Sequence, residues 1–132
     1  MTRTPMRLVV DSSVLVDHLR GDRRAHDTLR HAAERGDELW GVVIGRAEVL
    51  AGMRSAERSL THRLLDALRW LDVDVALADA AGRLSRRYRR SHPGLQLADC
   101  LIAAGVEQLD ARLVTLNVRH FPMFPDLEPP YR

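Results

Sequence analysis

Apolar positions along this chain fall into short runs separated by longer stretches with a three-to-four-residue period, the pattern of strands alternating with helices. Leu8-Val9-Val10 is a brief β-branched run ending at Asp11, which predicts a buried parallel strand. Ser12-Ser13 lead into Val14, Leu15, Val16 and Leu19, a helix stopped by Gly21. A polar helix follows from about Arg23 to Arg35 and again ends at a glycine, Gly36. Leu39-Trp40-Gly41-Val42-Val43 predicts the second strand, feeding a helix around Ala47-Glu48-Val49-Leu50 that stops near Gly52.

Farther along, Leu60, Leu64, Leu65, Leu68 and Leu71 recur at helical spacing and predict an amphipathic helix over the core. Val73 and Val75 suggest a third strand, and a long helix runs from about Asp79 to Arg90, ended by His92-Pro93-Gly94. Leu97, Leu101, Ile102 and Gly105 mark a last helix ending near Asp110, and Leu113-Val114-Thr115-Leu116 a further strand. The proline-punctuated segment from Phe121 through Pro130 is expected to close the fold and to add an edge strand.

This alternation predicts an α/β fold: a central, mainly parallel sheet of four to five strands with helices on both faces, three layers in all. Without a repeat or a linker, residues 1–132 read as a single domain, with 1–6 as a short N-terminal tail and Met6 as a second possible start. No run approaches the roughly 20 apolar residues that a bilayer crossing needs. In such sheets the functional crevice lies at the carboxyl ends of the strands.

Composition narrows the chemistry. All 20 basic side chains are arginine, which excludes P-loop phosphate binding, Schiff-base catalysis and any other device built on lysine. What remains is a set of forked guanidinium groups suited to phosphate. Cys100 is the single cysteine, so no internal disulfide forms, and a thiol in an apolar helix suits a reducing cytoplasm. Cys100 reads as a small buried hydrophobe. Trp40 and Trp70 adjoin strands and read as core rather than as stacking platforms for bases. A haloacid-dehalogenase-type phosphatase needs an acid where Ser13 stands, and a serine hydrolase needs a nucleophile elbow that is absent around Ser12 and Ser13.

Three acids carry the candidate chemistry. Asp11 ends the first strand, where it reads either as the N-cap of the next helix or as a site carboxylate. Asp99, between Ala98 and Cys100, is either a first-turn acid favoured by the helix dipole or a site residue. Glu48 has small and apolar neighbours that suggest partial burial. Arg46, two residues away, points to a different face, so Glu48 needs another partner. If the three converge, carboxylates about 4 Å apart repel by roughly 4 kcal/mol at an effective dielectric of about 20. Such crowding persists only with protonation or with a hard cation among them. Oxygen donors without thiolate or paired histidine suit Mg²⁺ or Mn²⁺, an arrangement that cleaves phosphodiesters.

Four segments together resemble a PIN domain: Val9-Val10-Asp11-Ser12-Ser13-Val14-Leu15, Arg46-Ala47-Glu48-Val49-Leu50-Ala51-Gly52, Ala98-Asp99-Cys100-Leu101-Ile102-Ala103-Ala104, and Leu113-Val114-Thr115-Leu116-Asn117-Val118-Arg119-His120-Phe121. More narrowly the chain is similar to VapC-type toxins of bacterial type II toxin–antitoxin systems, from Arg7 to Pro130. The resemblance implies a PIN-like three-layer fold and a Mg²⁺- or Mn²⁺-dependent endoribonuclease. It places the family acids on Asp11, Glu48 and Asp99, with Asp11 and Asp99 closest to the metal and Glu48 binding it or positioning water. The fourth acidic position falls on Asn117, whose amide orients water without adding charge. Ser13, just after the first acid, reads either as a hydrogen-bonding group within the site or as a helix-start hydroxyl.

For an RNA substrate, Arg86 and Arg90, within the cluster Arg86, Arg87, Arg89 and Arg90, and Arg119 with His120, directly after Asn117, are the candidate contacts. Arg46 better suits pairing with a partner or plain solvation. The resemblance also implies a small antitoxin, a homodimer, and operator DNA met only through the antitoxin complex, with no membrane partner. The alternative is a PIN-fold binding module weakened at Asn117 that acts through antitoxin or RNA binding.

Overall fold

The computed structural model describes residues 4–132. Of the expected tail, residues 1–3 therefore lie outside the described residues. Four strands, β1 (Arg7–Val10), β2 (Glu38–Val42), β3 (Arg69–Leu71) and β4 (Arg112–Val114), form one sheet in the order β3-β2-β1-β4. All three pairings are parallel, with Val9 opposite Trp40 on one side and opposite Leu113 on the other. Six helices accompany them: α1 (Ser12–Leu19), α2 (Arg23–Glu34), α3 (Val43–Ala51), α4 (Arg58–Asp66), α5 (Val75–Tyr88) and α6 (Leu97–Gln108). The expected three-layer α/β/α architecture is what the chain adopts.

The two-residue period of the strands divides the core. Val9, Leu71 and Leu113 pack with Leu77, Ala81, Ile102 and Ala103, so α5 and α6 cover that face. Their strand neighbours Val10, Trp70 and Val114 point the other way, onto Val14, Leu15, Leu29, Val49 and Leu65 of α1 to α4. Gly21 and Gly36, each at φ +83°, supply the left-handed residue that ends α1 and α2. Asp22 and Asp74 open α2 and α5 by accepting the amides of Arg24 and Leu77, both at 2.9 Å.

Three expectations need correction. The third strand is Arg69–Leu71, not Val73 and Val75; Val75 is 78 % exposed and begins α5 after the Asp74 cap. Leu60, Leu64, Leu65, Leu68 and Leu71 keep helical spacing, yet α4 ends at Asp66 and Leu71 belongs to the sheet. The strand wins because its three residues pair with Trp40, Gly41 and Val42, and Trp70 Nε1 donates to the Leu65 carbonyl at 2.7 Å. Among the described residues the closing segment adds no edge strand. It runs past β4 to Tyr131, whose hydroxyl donates to Asp17 Oδ2 at 2.9 Å and whose ring carries the Arg24 guanidinium at 4.8 Å. Trp40 and Trp70 are half-buried packing residues, Trp70 lying over the bare Cα of Gly41.

Close approach of α6 to the sheet depends on Gly105. A Cβ there meets Val42 Cγ2 at 2.6 Å and Leu71 Cδ2 at 3.2 Å. Gly105→Ala is therefore expected to destabilise the protein by about 1–2 kcal/mol, overpacking outweighing the roughly 1 kcal/mol that alanine gains in a helix. Urea denaturation checks this; a midpoint equal to or above the parent's contradicts it.

Candidate active site

In a parallel sheet every strand ends at the same rim, and the strand order reverses at β1, which has β2 on one side and β4 on the other, the position at which such sheets place their sites. Asp11 follows β1 directly and is 5 % exposed. It sits at the N-cap position of α1, and its carbonyl accepts from Val14 N at 3.2 Å, but its side chain does not cap the helix. Instead its Oδ2 accepts from Thr115 Oγ1 at 2.7 Å and from Ser13 Oγ at 3.1 Å. Thr115, fully buried one residue beyond β4, also accepts the Asn117 amide at 3.0 Å, and Ser13 Oγ accepts that of Leu116 at 3.2 Å. Two hydroxyls thus bolt the Asp11 carboxylate to the end of β4.

Glu48 reaches the same rim from α3, which starts at Val43 without an intervening loop after β2. The residue is exposed, not half-buried as its neighbours suggest, and its Oε1 accepts from Ser12 Oγ at 3.5 Å. Arg46 does not reach it: that guanidinium lies 5.3 Å over the Trp70 ring and 3.8 Å from Asp66. Asp99 comes from the first turn of α6, and both readings of it are realised in one side chain. Its Oδ2 accepts the Gln96 amide at 3.1 Å, tying down the helix start, and lies 3.5 Å from His120 Nδ1.

The three carboxylates feel one another. Loss of water around Glu48 raises its pKa, and the charges of Asp11 and Asp99 raise it further against the hydrogen bond from Ser12. Burial is also the main cause that raises Asp99; Asp11 adds to it, while the Gln96 amide and His120 oppose it. Burial and the nearby Asp99 push the Cys100 thiol upward, so that fully buried side chain is no nucleophile.

Among the described residues no three His, Cys, Asp or Glu side chains close on a single point that would hold an ion. The donor set nevertheless fits a hard divalent cation. All three groups offer oxygen, and the engaged atoms are Asp11 Oδ2, Asp99 Oδ2 and Glu48 Oε1, leaving the second oxygen of each carboxylate without a hydrogen bond from the described residues.

Asn117 is exposed and immediately precedes a 3-10 turn, Val118–His120. His120 faces Asp99 from that turn, whereas Arg119 lines a groove on its far side with His92 and Pro122. Arg86 and Arg90 are exposed at the end of α5, and neither has a carboxylate partner among the described residues. Arg86 lies on the last turn of α5, where it complements the helix dipole, and Arg90 stands two residues past the helix end. Sequence reasoning left Ser13 open between helix start and site, and it missed Ser12 and Thr115. A lone hydroxyl inside the apolar run Leu113-Val114-Thr115-Leu116 was the available signal for Thr115.

A PIN domain family model matches residues 8–124. Ribonuclease VapC19 of Mycobacterium tuberculosis is 45 % identical over 123 residues, covering 93 % of this chain and 98 % of that protein. Ribonuclease VapC10 of the same organism is 47 % identical over 124 residues, covering 94 % and 92 %. A toxin–antitoxin complex from Klebsiella pneumoniae superposes with a TM-score of 0.78 at 22 % identity, over 95 % of this chain and 98 % of that one. VapBC2 from Rickettsia felis, bound to a DNA fragment from its promoter, gives 0.77 at 21 % over 92 % and 96 %. These two show the fold; the family model and the mycobacterial relatives show the kinship. The carboxylates gathered at this sheet rim are thus those of a PIN-domain protein, and the chain belongs to the VapC type within that family.

Proposed function

We propose that this chain is an endoribonuclease, the toxin of a toxin–antitoxin pair, and that it depends on Mg²⁺ or Mn²⁺ held by Asp11, Asp99 and Glu48. The observation that carries the reading is the gathering of Glu48 and Asp99 around the buried Asp11 at one sheet rim, where the charge of Asp11 adds to burial in raising both. Isolated helix caps do not raise one another. Named mycobacterial relatives are ribonucleases at 45–47 % identity, which supports the RNA-cleaving reaction.

The residues divide the work. Thr115 and Ser13 fix Asp11 through Oδ2, so its other oxygen is presented to the crevice in a single orientation. Asp99 is held in the same way by the Gln96 amide and His120. When bound, a divalent ion supplies neutralisation of the phosphate charge and acidification of the attacking water. Glu48, raised toward neutrality at the open rim, accepts the proton of that water or orients it. Asn117 offers an amide at the mouth without adding a fourth charge. Arg119, Arg86 and Arg90 stand as phosphate contacts, with His120 bridging from Asp99 toward the strand.

The same reading extends to an antitoxin protein, a homodimer and operator DNA contacted through the antitoxin complex, in the cytoplasm. Support comes from the structural neighbours, which are described as toxin–antitoxin or VapBC assemblies, one of them on promoter DNA. Among the described residues no helix is long and apolar enough to cross a membrane.

Asp99→Asn is expected to remove metal-dependent RNA cleavage by at least about a hundredfold while leaving the circular dichroism spectrum unchanged; equal cleavage by variant and parent contradicts the assignment. Stability supplies a second check. In the fold Glu48 and Asp99 keep their protons to higher pH than in the unfolded chain, where 4.5 and 3.8 are ordinary. Their contribution to stability is therefore complete below those values and is lost as pH rises through the elevated ones. Metal-free Asp99→Asn is expected to melt a few degrees above the parent at neutral pH, the gap closing as pH falls into the carboxylate range. A gap independent of pH contradicts the crowding. Millimolar Mn²⁺ is expected to raise the parent's melting temperature and not the variant's; identical responses favour a binding module without a metal site.

A further inference from the structure

Beside the carboxylates lies a second feature, of which the proposed chemistry uses only Arg119. A groove of about 470 Å³ is lined by His92, Val118, Arg119, Pro122, Pro125 and Leu127. It shares the 3-10 turn Val118–His120 with the acidic crevice: His120 faces Asp99 at 3.5 Å, while its neighbour Arg119 faces the groove. One turn of that helix is about 6 Å long, so the two concavities are adjacent along any strand that passes over it.

The lining has two parts. The floor is apolar and partly flat, built from proline rings, Val118 and Leu127. The rim is basic. Arg119 is exposed and has no carboxylate partner among the described residues. His92 is set in place by Ser91 Oγ at 2.8 Å from its Nδ1 and by the Tyr88 ring edge-on at 6.2 Å. Arg86, Arg89 and Arg90, a few residues before His92 in the chain, are likewise exposed and without carboxylate partners among the described residues. The groove thus joins an apolar floor to the Arg119 guanidinium, on the same turn whose His120 meets Asp99.

That chemistry matches one repeat of single-stranded RNA. A base is an apolar face with polar edges, attached to an anionic phosphate, and grooves that take single strands pair a basic track with surfaces on which bases lie. A purely apolar peptide segment leaves Arg119 without a counter-charge. We infer that this groove is a nucleotide subsite: it seats the base next to the cleaved phosphodiester on Pro122, Pro125 and Leu127 and binds that nucleotide's phosphate at Arg119 and His92. The inference rests on the ribonuclease reading for the phrase "next to the cleaved phosphodiester", and on the groove alone for RNA binding.

Binding of a labelled single-stranded oligoribonucleotide, followed by fluorescence anisotropy over a salt series, tests it. Measurements are made in the Asp99→Asn background so that the RNA is not consumed. Arg119→Ala is expected to weaken binding at least about fivefold and to reduce the dependence of log K on log salt by about one. Leu127→Ser is expected to weaken binding by a similar factor without altering that dependence. Pro125→Ser, at an exposed floor position, repeats the test should Leu127→Ser fail to fold. Arg58→Ala, on α4, is the control and leaves Kd unchanged. Unchanged affinity in Arg119→Ala overturns the subsite and leaves the groove to a protein segment. Unchanged affinity in the floor variants overturns the seating of a base. Weakened binding in both, together with a parent that cleaves no RNA, keeps the subsite and defeats the nuclease reading instead. Cleavage by the parent with unaltered affinity in all the variants does the reverse.

Discussion

Like charges brought to one rim must be restrained individually, and the structure of this chain follows from that constraint. Asp11 is caught between the hydroxyls of Ser13 and Thr115, Asp99 between a backbone amide and His120, and Glu48 by Ser12 alone. Each carboxylate spends one oxygen on the protein, and its other oxygen takes no hydrogen bond from the described residues. Hydrogen bonds to charged groups contribute about 1.5–3 kcal/mol each, enough to hold an orientation but not to abolish repulsion of comparable size. Burial, with the charge of Asp11 added to it, raises the pKa values of Glu48 and Asp99. The repulsion is also what makes a divalent cation favourable there.

Topology brings the groups together at little cost in loops. β1 lies inside the sheet, so Asp11 emerges between β2 and β4. α3 begins where β2 stops, which delivers Glu48 one and a half turns later, and the turn after β4 carries Thr115, Asn117 and His120. α6 must lie close on the sheet for Asp99 to reach the same rim, and Gly105 permits that approach. The two cores, one on each face of the sheet, fix these elements from both sides. A site assembled from four segments distant in sequence is therefore as rigid as the packing beneath it.

Much of this was legible in the sequence because each strand end is announced by a change from apolar to polar, and Asp11 stands on such a boundary. Glu48 was legible as an acid with no local partner, and Asp99 as an acid that reads equally as a helix start and as a site residue. Asp99 also shows why the two readings of an acid need not compete, since one carboxylate both ties the helix start and faces the crevice. What was hidden depended on contacts across the chain. β3 escaped because leucine spacing continues past the end of α4, and only pairing with β2 decides where the helix yields to the sheet. Thr115 escaped because a hydroxyl in a strand declares no partner until β1 and β4 lie side by side. Glu48 proved more exposed than its apolar neighbours imply, for they bury one side of α3 while its side chain leans over the rim. His120 and Arg119 are consecutive, yet a single 3-10 turn sends one to the acids and the other to the groove.

The central claim is that Asp11, Glu48 and Asp99 form one charge-coupled unit completed by a divalent cation. Carboxyl ¹³C chemical shifts of Glu48 and Asp99, followed by NMR through a pH titration with and without Mg²⁺, test it most directly. The account predicts that both groups titrate above ordinary carboxylates in metal-free protein, and that Mg²⁺ lowers both together. Ordinary titration of both, indifferent to Mg²⁺, would contradict it.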